Sequence, residues 1–351
     1  MSKSLLRSLK TRIQNTQRGL SIGQRRIAPK MEPRYDYNRK WTMPAAVKLK
    51  ATTENQAAAC GATTTFKLIS YNILAQDLLM EHMHLYLDRP QELLTWHSRL
   101  QKLQREIIKL DADILCLQEM QHNHLPLLVQ RLTASSGKRL EYVYKKKTGN
   151  RTDGCAIIYD SYKFKLLHQR AVELYDASVP LLDRDNVALL AKFRLKQSEE
   201  PKEVIVATTH LLFNPRRSDV RCAQVAKLLN ELRHFAINST TDKTTPVILT
   251  GDFNSEIESS PMYLAQAQST EPSALNFKIL DPGDFTASTF QDAWITVDYI
   301  MHSDAPQAKH ELQVLSVYLL PKIGACANAG NIPNYYLGSD HYSLGAVFAI
   351  V

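Results

Sequence analysis

Carboxylate and amide side chains recur in this sequence at one kind of place, the polar residue that stops a short apolar run. Ile114-Leu115-Cys116-Leu117 stops at Gln118-Glu119, Val204-Ile205-Val206-Ala207 runs into Thr208-Thr209-His210, and Val247-Ile248-Leu249-Thr250 stops at Gly251-Asp252-Phe253-Asn254. Ser70-Tyr71-Asn72, Asp298-Tyr299-Ile300 and Ser339-Asp340-His341 repeat the pattern. If these runs are strands ending at one sheet edge, Asn72, Glu119, Asp252, Asn254, Asp298 and Asp340 surround His210 and His341. Gathered carboxylates repel, and a hard divalent cation such as Mg²⁺ relieves that repulsion while polarising a phosphoryl oxygen. One imidazole can donate to phosphate oxygens as charge builds on them; another, oriented by a carboxylate, can give or take a proton. Phosphoester hydrolysis fits this inventory. Acyl transfer and nucleotide-driven phosphoryl transfer do not, because there is no G-x-S-x-G elbow, activated-cysteine motif or G-x-x-x-x-G-K-[ST] loop. Each signal alone reads as a turn, since Asp and Asn favour turns through local hydrogen bonds. The combination points to a site.

Strands are predicted over Lys67–Ile73, Ile114–Gln118, Cys155–Tyr159, Val187–Leu195, Val204–Leu211, Val247–Thr250, Val297–Met301 and Leu344–Ile350, which are short, apolar and rich in β-branched or aromatic residues. Helical spacing over Leu93–Leu110 and Asp219–Phe235 predicts amphipathic helices between them. The body is therefore α/β, one folded domain over residues 66–351 behind a linker at 51–65 that is rich in Ala and Thr. Of 351 residues, 44% are hydrophobic, enough for a large core, and no apolar run reaches the length of a membrane span. The five cysteines are scattered without a C-x-x-C pair, which argues against structural zinc or a disulfide framework and for a reducing compartment.

The net charge of +8 belongs to residues 1–50, where 13 Lys and Arg face only Glu32 and Asp36; the remainder is slightly acidic. An anionic substrate must then be gripped locally or through a metal ion. Met1 to Lys30 contains no acid, the composition of a mitochondrial transit peptide. The alternative is a cytoplasmic protein with a basic arm that attracts RNA. On the first reading, residues 1–50 are a basic tail in which Met1 to Lys30 is an address and dispensable for chemistry.

The whole set of motifs, in order, resembles the endonuclease/exonuclease/phosphatase superfamily: Ser70-Tyr71-Asn72, Leu117-Gln118-Glu119, Asp153-Gly154-Cys155-Ala156, Thr209-His210-Leu211, Gly251-Asp252-Phe253-Asn254-Ser255, Val297-Asp298-Tyr299-Ile300 and Ser339-Asp340-His341. Trp96 and Arg99 followed by Asp111-Ala112-Asp113-Ile114-Leu115-Cys116-Leu117-Gln118-Glu119 are similar to the branch of nocturnin and the carbon-catabolite-repressor deadenylases. The stretches Asn72-Ile73-Leu74-Ala75-Gln76-Asp77, Leu181-Leu182-Asp183-Arg184-Asp185-Asn186-Val187 and His210-Leu211-Leu212-Phe213-Asn214-Pro215-Arg216-Arg217 resemble the Angel group within it.

The resemblance implies a four-layer αββα sandwich of two mixed sheets with the site at one sheet edge. It implies Glu119 as principal Mg²⁺ ligand with Asn72 and Asp340 beside it, Mn²⁺ being the other candidate ion. Asp252 and Asn254 would position the attacking water and the scissile phosphate, His210 would stabilise the phosphate, and His341 would be oriented by Asp298. Repair endonucleases of the superfamily carry a second carboxylate where this chain has Leu74, so a two-metal arrangement relying on it is not expected. Phosphate or substrate contact is expected from Asn72, Arg151, Asn186, Arg216 and Arg217, since guanidinium groups match phosphate geometry. Lys145 to Lys147 are either part of that grip or a solvated charge run. The implied activity is hydrolysis of a 3′-terminal phosphate or 2′,3′-cyclic phosphate on RNA. The alternatives are a 3′-to-5′ exoribonuclease and an RNA-binding scaffold with an inactive site. No leucine-rich repeat precedes the body, so docking on a deadenylase assembly by that route is not expected.

Overall fold

A computed structural model describes residues 39–43 and 65–351, apart from 197, 199, 238–242, 272–273 and 305–307. Its strands are β1 (Trp41–Thr42), β2 (Thr65–Asn72), β3 (Ile114–Gln121), β4 (Leu140–Lys146), β5 (Asp153–Asp160), β6 (Phe164–Glu173), β7 (Val187–Leu195), β8 (Glu203–His210), β9 (Val247–Asp252), β10 (Asn276–Ile279), β11 (Thr289–Gln291), β12 (Ala293–Ile295), β13 (Asp298–Asp304), β14 (Leu312–Tyr318) and β15 (Leu344–Ile350). They form a first sheet in the order β1-β14-β15-β2-β3-β5-β4, a second in the order β10-β13-β9-β8-β7-β6, and a β11-β12 hairpin. Both sheets are mixed: β2 and β3 run parallel, as do β8 and β9, within otherwise antiparallel ladders.

Strand alternation sorts the core into layers. Phe66, Leu68, Ile114, Cys116 and Phe348 from the first sheet meet Phe193, Val204, Val206, Ile248 and Ile300 from the second. Residues of opposite parity face helices. Ile69, Tyr71, Leu115 and Leu117 pack on α2 (Trp96–Leu110) and α3 (Leu125–Ser136). Ile205, Ala207, Val247 and Leu249 pack on α4 (Ser218–Ala236). The short α1 (Gln76–Glu81) follows β2. The result is the αββα sandwich. No helix among the described residues is long and apolar enough to cross a membrane.

The eight expected strands all form. The helix expected over Leu93–Leu110 is interrupted at Thr95, whose extended backbone (ψ 143°) ends one turn and whose hydroxyl accepts from the Ser98 amide to cap α2. The domain boundary also differs. Trp41 and Thr42, inside the segment expected to be tail, pair with Tyr318 and Val317 of β14, and Trp41 packs against the Tyr318 ring at 5.3 Å. Thr65, the end of the expected linker, opens β2. The rest of the 1–50 and 51–65 assignments lies outside the described residues.

Candidate active site

The same parity that sends Leu68, Cys116, Val206, Ile248 and Ile300 between the sheets sends Asn72, Gln118, His210, Asp252 and Asp298 there too, one strand-end later. Register brings them level: Asn72 lies opposite Gln118, His210 opposite Asp252, and Asp252 opposite Asp298. Gln118 forms the floor, donating to Thr208 Oγ1 of the second sheet at 2.8 Å and to Ser70 Oγ at 3.2 Å.

Glu119 follows Gln118 and by alternation should point away from the site. A one-residue register shift against β5 between Leu117 and Met120, with Glu119 at φ +55°, reverses it. Such a conformation costs about 1 kcal/mol or more in a non-glycine residue and is retained where surrounding contacts hold it. Here they do: Glu119 Oε1 accepts from Asn72 Nδ2 at 2.9 Å and Oε2 from the Ala75 amide at 3.0 Å.

Asn72 Nδ2 also donates to Asp252 Oδ2 at 3.0 Å, tying the two sheets' carboxylates together. Its Oδ1 accepts from the Leu74 amide at 3.0 Å, with Leu74 at φ +58°. The amide therefore turns its nitrogen to the carboxylates, and Asn72 orients both Glu119 and Asp252. Asp252 Oδ1 accepts from the Asn254 amide at 2.9 Å, and Asn254 Nδ2 donates to Leu211 O at 3.0 Å.

Both histidines converge on Asp252. His210 Nε2 and His341 Nε2 each lie 3.7 Å from Asp252 Oδ2, and His341 Nδ1 is bonded to Asp298 Oδ2 at 2.7 Å. Their charge states are driven apart. Burial, Lys147 and His341 push the His210 pKa well down; burial also opposes charge on His341, but Asp298 and Asp252 outweigh it and push that pKa well up. Burial and Asp298 raise the Asp252 carboxyl, and burial and Asp340 raise Glu119. The environment thus disfavours charge on one imidazole and favours it on the other across the shared Asp252 side chain.

Asp340 Oδ2 accepts from Tyr86 OH at 2.6 Å, whereas its buried Oδ1 has no hydrogen-bond partner. An orphaned carboxylate oxygen of this kind is what a hard cation satisfies, and the Asp340 charge also raises the pKa of Glu119. The oxygen-rich donor set of Glu119 and Asp340 fits the expected ion.

The remaining expected contacts divide. Asn186 has both amide atoms engaged, Nδ2 with His210 O and Oδ1 with Gln224 Nε2, each at 2.9 Å. It supports the end of β8. Arg151 is exposed and pairs with Glu81 at 3.1 Å, Arg217 pairs with Asp219 at 3.0 Å, and Arg216 is exposed.

Four residues do more than sequence reasoning assigned them. Lys147 turns inward from its charge run, pairs with Asp153 at 2.7 Å and stands 3.5 Å from His210 Nδ1. An ammonium there makes Nδ1 the acceptor and leaves the proton on Nε2. Arg99, fully buried, bonds Ile73 O, Leu74 O and Gly338 O, and Arg221 holds Leu212 O and Ser255 Oγ. Arg99 carries a readable signal, a charge next to the apolar stripe of its helix; Tyr86 carries none.

The family model described as Endonuclease/Exonuclease/phosphatase family matches residues 69–341. The chain is 53% identical over 358 residues to Protein angel of Drosophila melanogaster, covering 99% of this chain and 97% of that one. To Protein angel homolog 2 of Bos taurus it is 43% identical over 199 residues, 56% of this chain and 36% of that relative. Among solved structures it resembles ANGEL2, a 2′,3′-cyclic phosphatase, at a TM-score of 0.73 and 28% identity over 89% of this chain and 97% of that one. The human Nocturnin catalytic domain shares the fold at a TM-score of 0.64 and 24% identity, over 91% of this chain and 100% of that one. A family match over most of the body and a relative matched nearly end to end make this chain a member of the endonuclease/exonuclease/phosphatase family, in its Angel group, and a metal-dependent phosphoester hydrolase.

Proposed function

We propose that the chain removes a terminal phosphate or 2′,3′-cyclic phosphate from RNA 3′ ends, with Mg²⁺ as its ion. The observation that carries this is the placing of two imidazoles 3.7 Å from one carboxylate oxygen, a frame for a single phosphoryl group. Likeness to ANGEL2, a 2′,3′-cyclic phosphatase, supports the choice of substrate.

In this reading Glu119 and Asp340 hold the cation, which when bound offsets phosphate charge and polarises a P–O bond. Asp252, its pKa raised, takes the proton of a water that Asn254 helps to place, and the water oxygen bonds to phosphorus. The P–O bond to the ribose breaks, and His341 gives its Nε2 proton to the departing oxygen while Asp298 keeps the ring aligned. A terminal phosphate leaves in one such step, whereas a 2′,3′-cyclic phosphate needs two, the first opening the ring to a monophosphate and the second, with another water, releasing it. His210, held as the Nε2–H tautomer by Lys147, donates to a non-bridging oxygen. Arg216 is proposed to contact the terminal phosphate. The basic segment up to Lys30 is proposed as a mitochondrial address, which a reporter fused to residues 1–36 tests: a purely cytosolic signal contradicts it.

The substrate reading is tested by incubating the full chain and Mg²⁺ with one RNA ending in 3′-hydroxyl, 3′-phosphate or 2′,3′-cyclic phosphate. Removal of the terminal group, with the chain otherwise intact, is expected. Stepwise shortening of the 3′-hydroxyl RNA at a faster rate would replace it with the exoribonuclease reading.

A further inference from the structure

The segment that carries Asp340 and His341 is fastened at several points from within the body. Arg99 holds Gly338 O at 2.8 Å, Ser339 Oγ donates to Asn72 O at 2.6 Å, Thr289 Oγ1 donates to Asp340 O at 2.7 Å, and the Tyr342 amide donates to Ser288 O at 2.7 Å. Another fastening comes from the far N-terminal side of the sequence. The Arg39 guanidinium donates to Ser343 O, to Ser343 Oγ at 3.3 Å and to Leu319 O at 2.9 Å.

This anchor is built as a core feature. The Arg39 side chain is 2% exposed, lies 4.0 Å over the Tyr318 ring, and faces Glu106 of α2 at 3.5 Å. Ser343 Oγ donates to the same Glu106 carboxylate at 2.9 Å, closing a ring of arginine, serine and glutamate. The next residues continue as β1 on β14, the Leu319 amide donates to Lys40 O, and Trp41 sits where a Cβ on Gly345 would stand 3.0 Å away. Ser343 is two residues from His341 and immediately precedes β15, so a displacement of its carbonyl is passed directly to the imidazole.

We propose that residues 39–42 are a strap that sets the position of the Asp340–His341 segment, with Arg39 a positioning residue for the hydrolysis. The dispensable part of the basic N-terminal segment then ends before Arg39, and any proteolytic trimming of it must spare that residue. Only a guanidinium reaches two carbonyls, a hydroxyl and a carboxylate from one side chain while stacking on a ring. This rests on the reading of Asp340 and His341 as site residues.

The test uses the full chain with Arg39→Ala, Arg39→Lys, the pair Arg39→Met with Glu106→Gln, and Lys40→Ala, assayed on 2′,3′-cyclic-phosphate RNA below the melting temperature of each. The Met/Gln pair keeps an apolar stem over Tyr318 and leaves no buried carboxylate unpaired, so it folds if Arg39→Ala does not. Expected is a kcat lower by roughly ten- to a hundredfold in the Arg39 variants with KM little changed, and no effect of Lys40→Ala, whose side chain is exposed. The His341 imidazole proton bonded to Asp298, read by NMR without substrate, should shift or broaden in the same variants. Wild-type kcat and an unchanged His341 resonance in the folded Met/Gln pair overturn the proposal. So does an equal, salt-sensitive rise in KM for Arg39→Ala and Lys40→Ala, which means that the segment attracts RNA by charge. If wild type hydrolyses none of the RNAs, the substrate reading has failed, and the His341 resonance still decides the strap.

Discussion

At the scale of single residues, the account depends on pairs. Asp298 and His341 are both buried and joined by a 2.7 Å hydrogen bond, so each is useful only through the other. Asp298→Asn and His341→Ala should each lower kcat by roughly a hundredfold or more, and the double variant should be no worse than the poorer single one. Multiplicative losses in steady-state kinetics would show that they do not act as a unit. Tyr86 and Asp340 form the second pair. With Oδ2 held by Tyr86 OH and Oδ1 left over, Tyr86→Phe should keep the fold and weaken divalent-cation binding by roughly tenfold or more. Calorimetric titration of metal into the metal-free chain reads this directly; an unchanged affinity contradicts it.

Elements rather than residues explain why the site exists at one edge of the sandwich, and their anchoring can be tested away from the chemistry. Asp113, at the foot of β3, accepts from the Lys67 amide at 2.8 Å and from Lys163 Nζ at 2.9 Å, with Lys138 at 3.3 Å. Burial opposes its charge, yet the Lys163 bond, the Lys67 amide and Lys138 outweigh that and hold its carboxyl below the usual range. A depressed pKa gives stability that is present above the unfolded value and lost as pH falls through the folded one. Asp113→Asn should therefore cost about 2 kcal/mol at pH 7, and the gap from wild type in urea melts should close below about pH 4. A gap that does not vary with pH means that the charge is not what anchors β3.

The same elements show what could be read in advance. Strands buried on both faces, such as β3, β5, β8 and β9, announce themselves as continuous apolar runs, and inward parity carries His210 and Asp252 on β8 and β9, and likewise Asn72 on β2 and Asp298 on β13. β6 and β14 stayed hidden because one face is partly exposed, and β1 because two residues have no period. Glu119 was legible as a type of residue but not as a geometry. The bulge that turns it inward is set by pairing with β5, which lies 34 residues further on. Lys147 was masked by Lys145 and Lys146; only the fold shows which of the three turns inward.

For the molecule as a whole, the charge division of the sequence bears on how RNA is held under the proposed function. The body is slightly acidic, so on that reading affinity comes from the end of the substrate and not from its length. Arg216, exposed after β8, is the guanidinium not tied to a neighbouring acid in the way that Asp219 ties Arg217. Arg216→Ala should reduce turnover of phosphate-ended RNA by about 1.5 to 3 kcal/mol in kcat/KM, equally for short and long RNAs at fixed salt. A loss that grows with RNA length would mean a grip spread along the strand.

The central claim is that one carboxylate at a backbone bulge, Glu119, makes this edge a metal-dependent phosphoesterase site. The measurement is hydrolysis of a 2′,3′-cyclic-phosphate RNA across a Mg²⁺ titration, for wild type and Glu119→Gln, with melting temperatures checked in parallel. The account predicts activity in wild type that chelator abolishes, and in folded Glu119→Gln a turnover lower by roughly a hundredfold or more that added Mg²⁺ does not restore. Near-normal hydrolysis by Glu119→Gln, or wild-type activity persisting in saturating chelator, would contradict it.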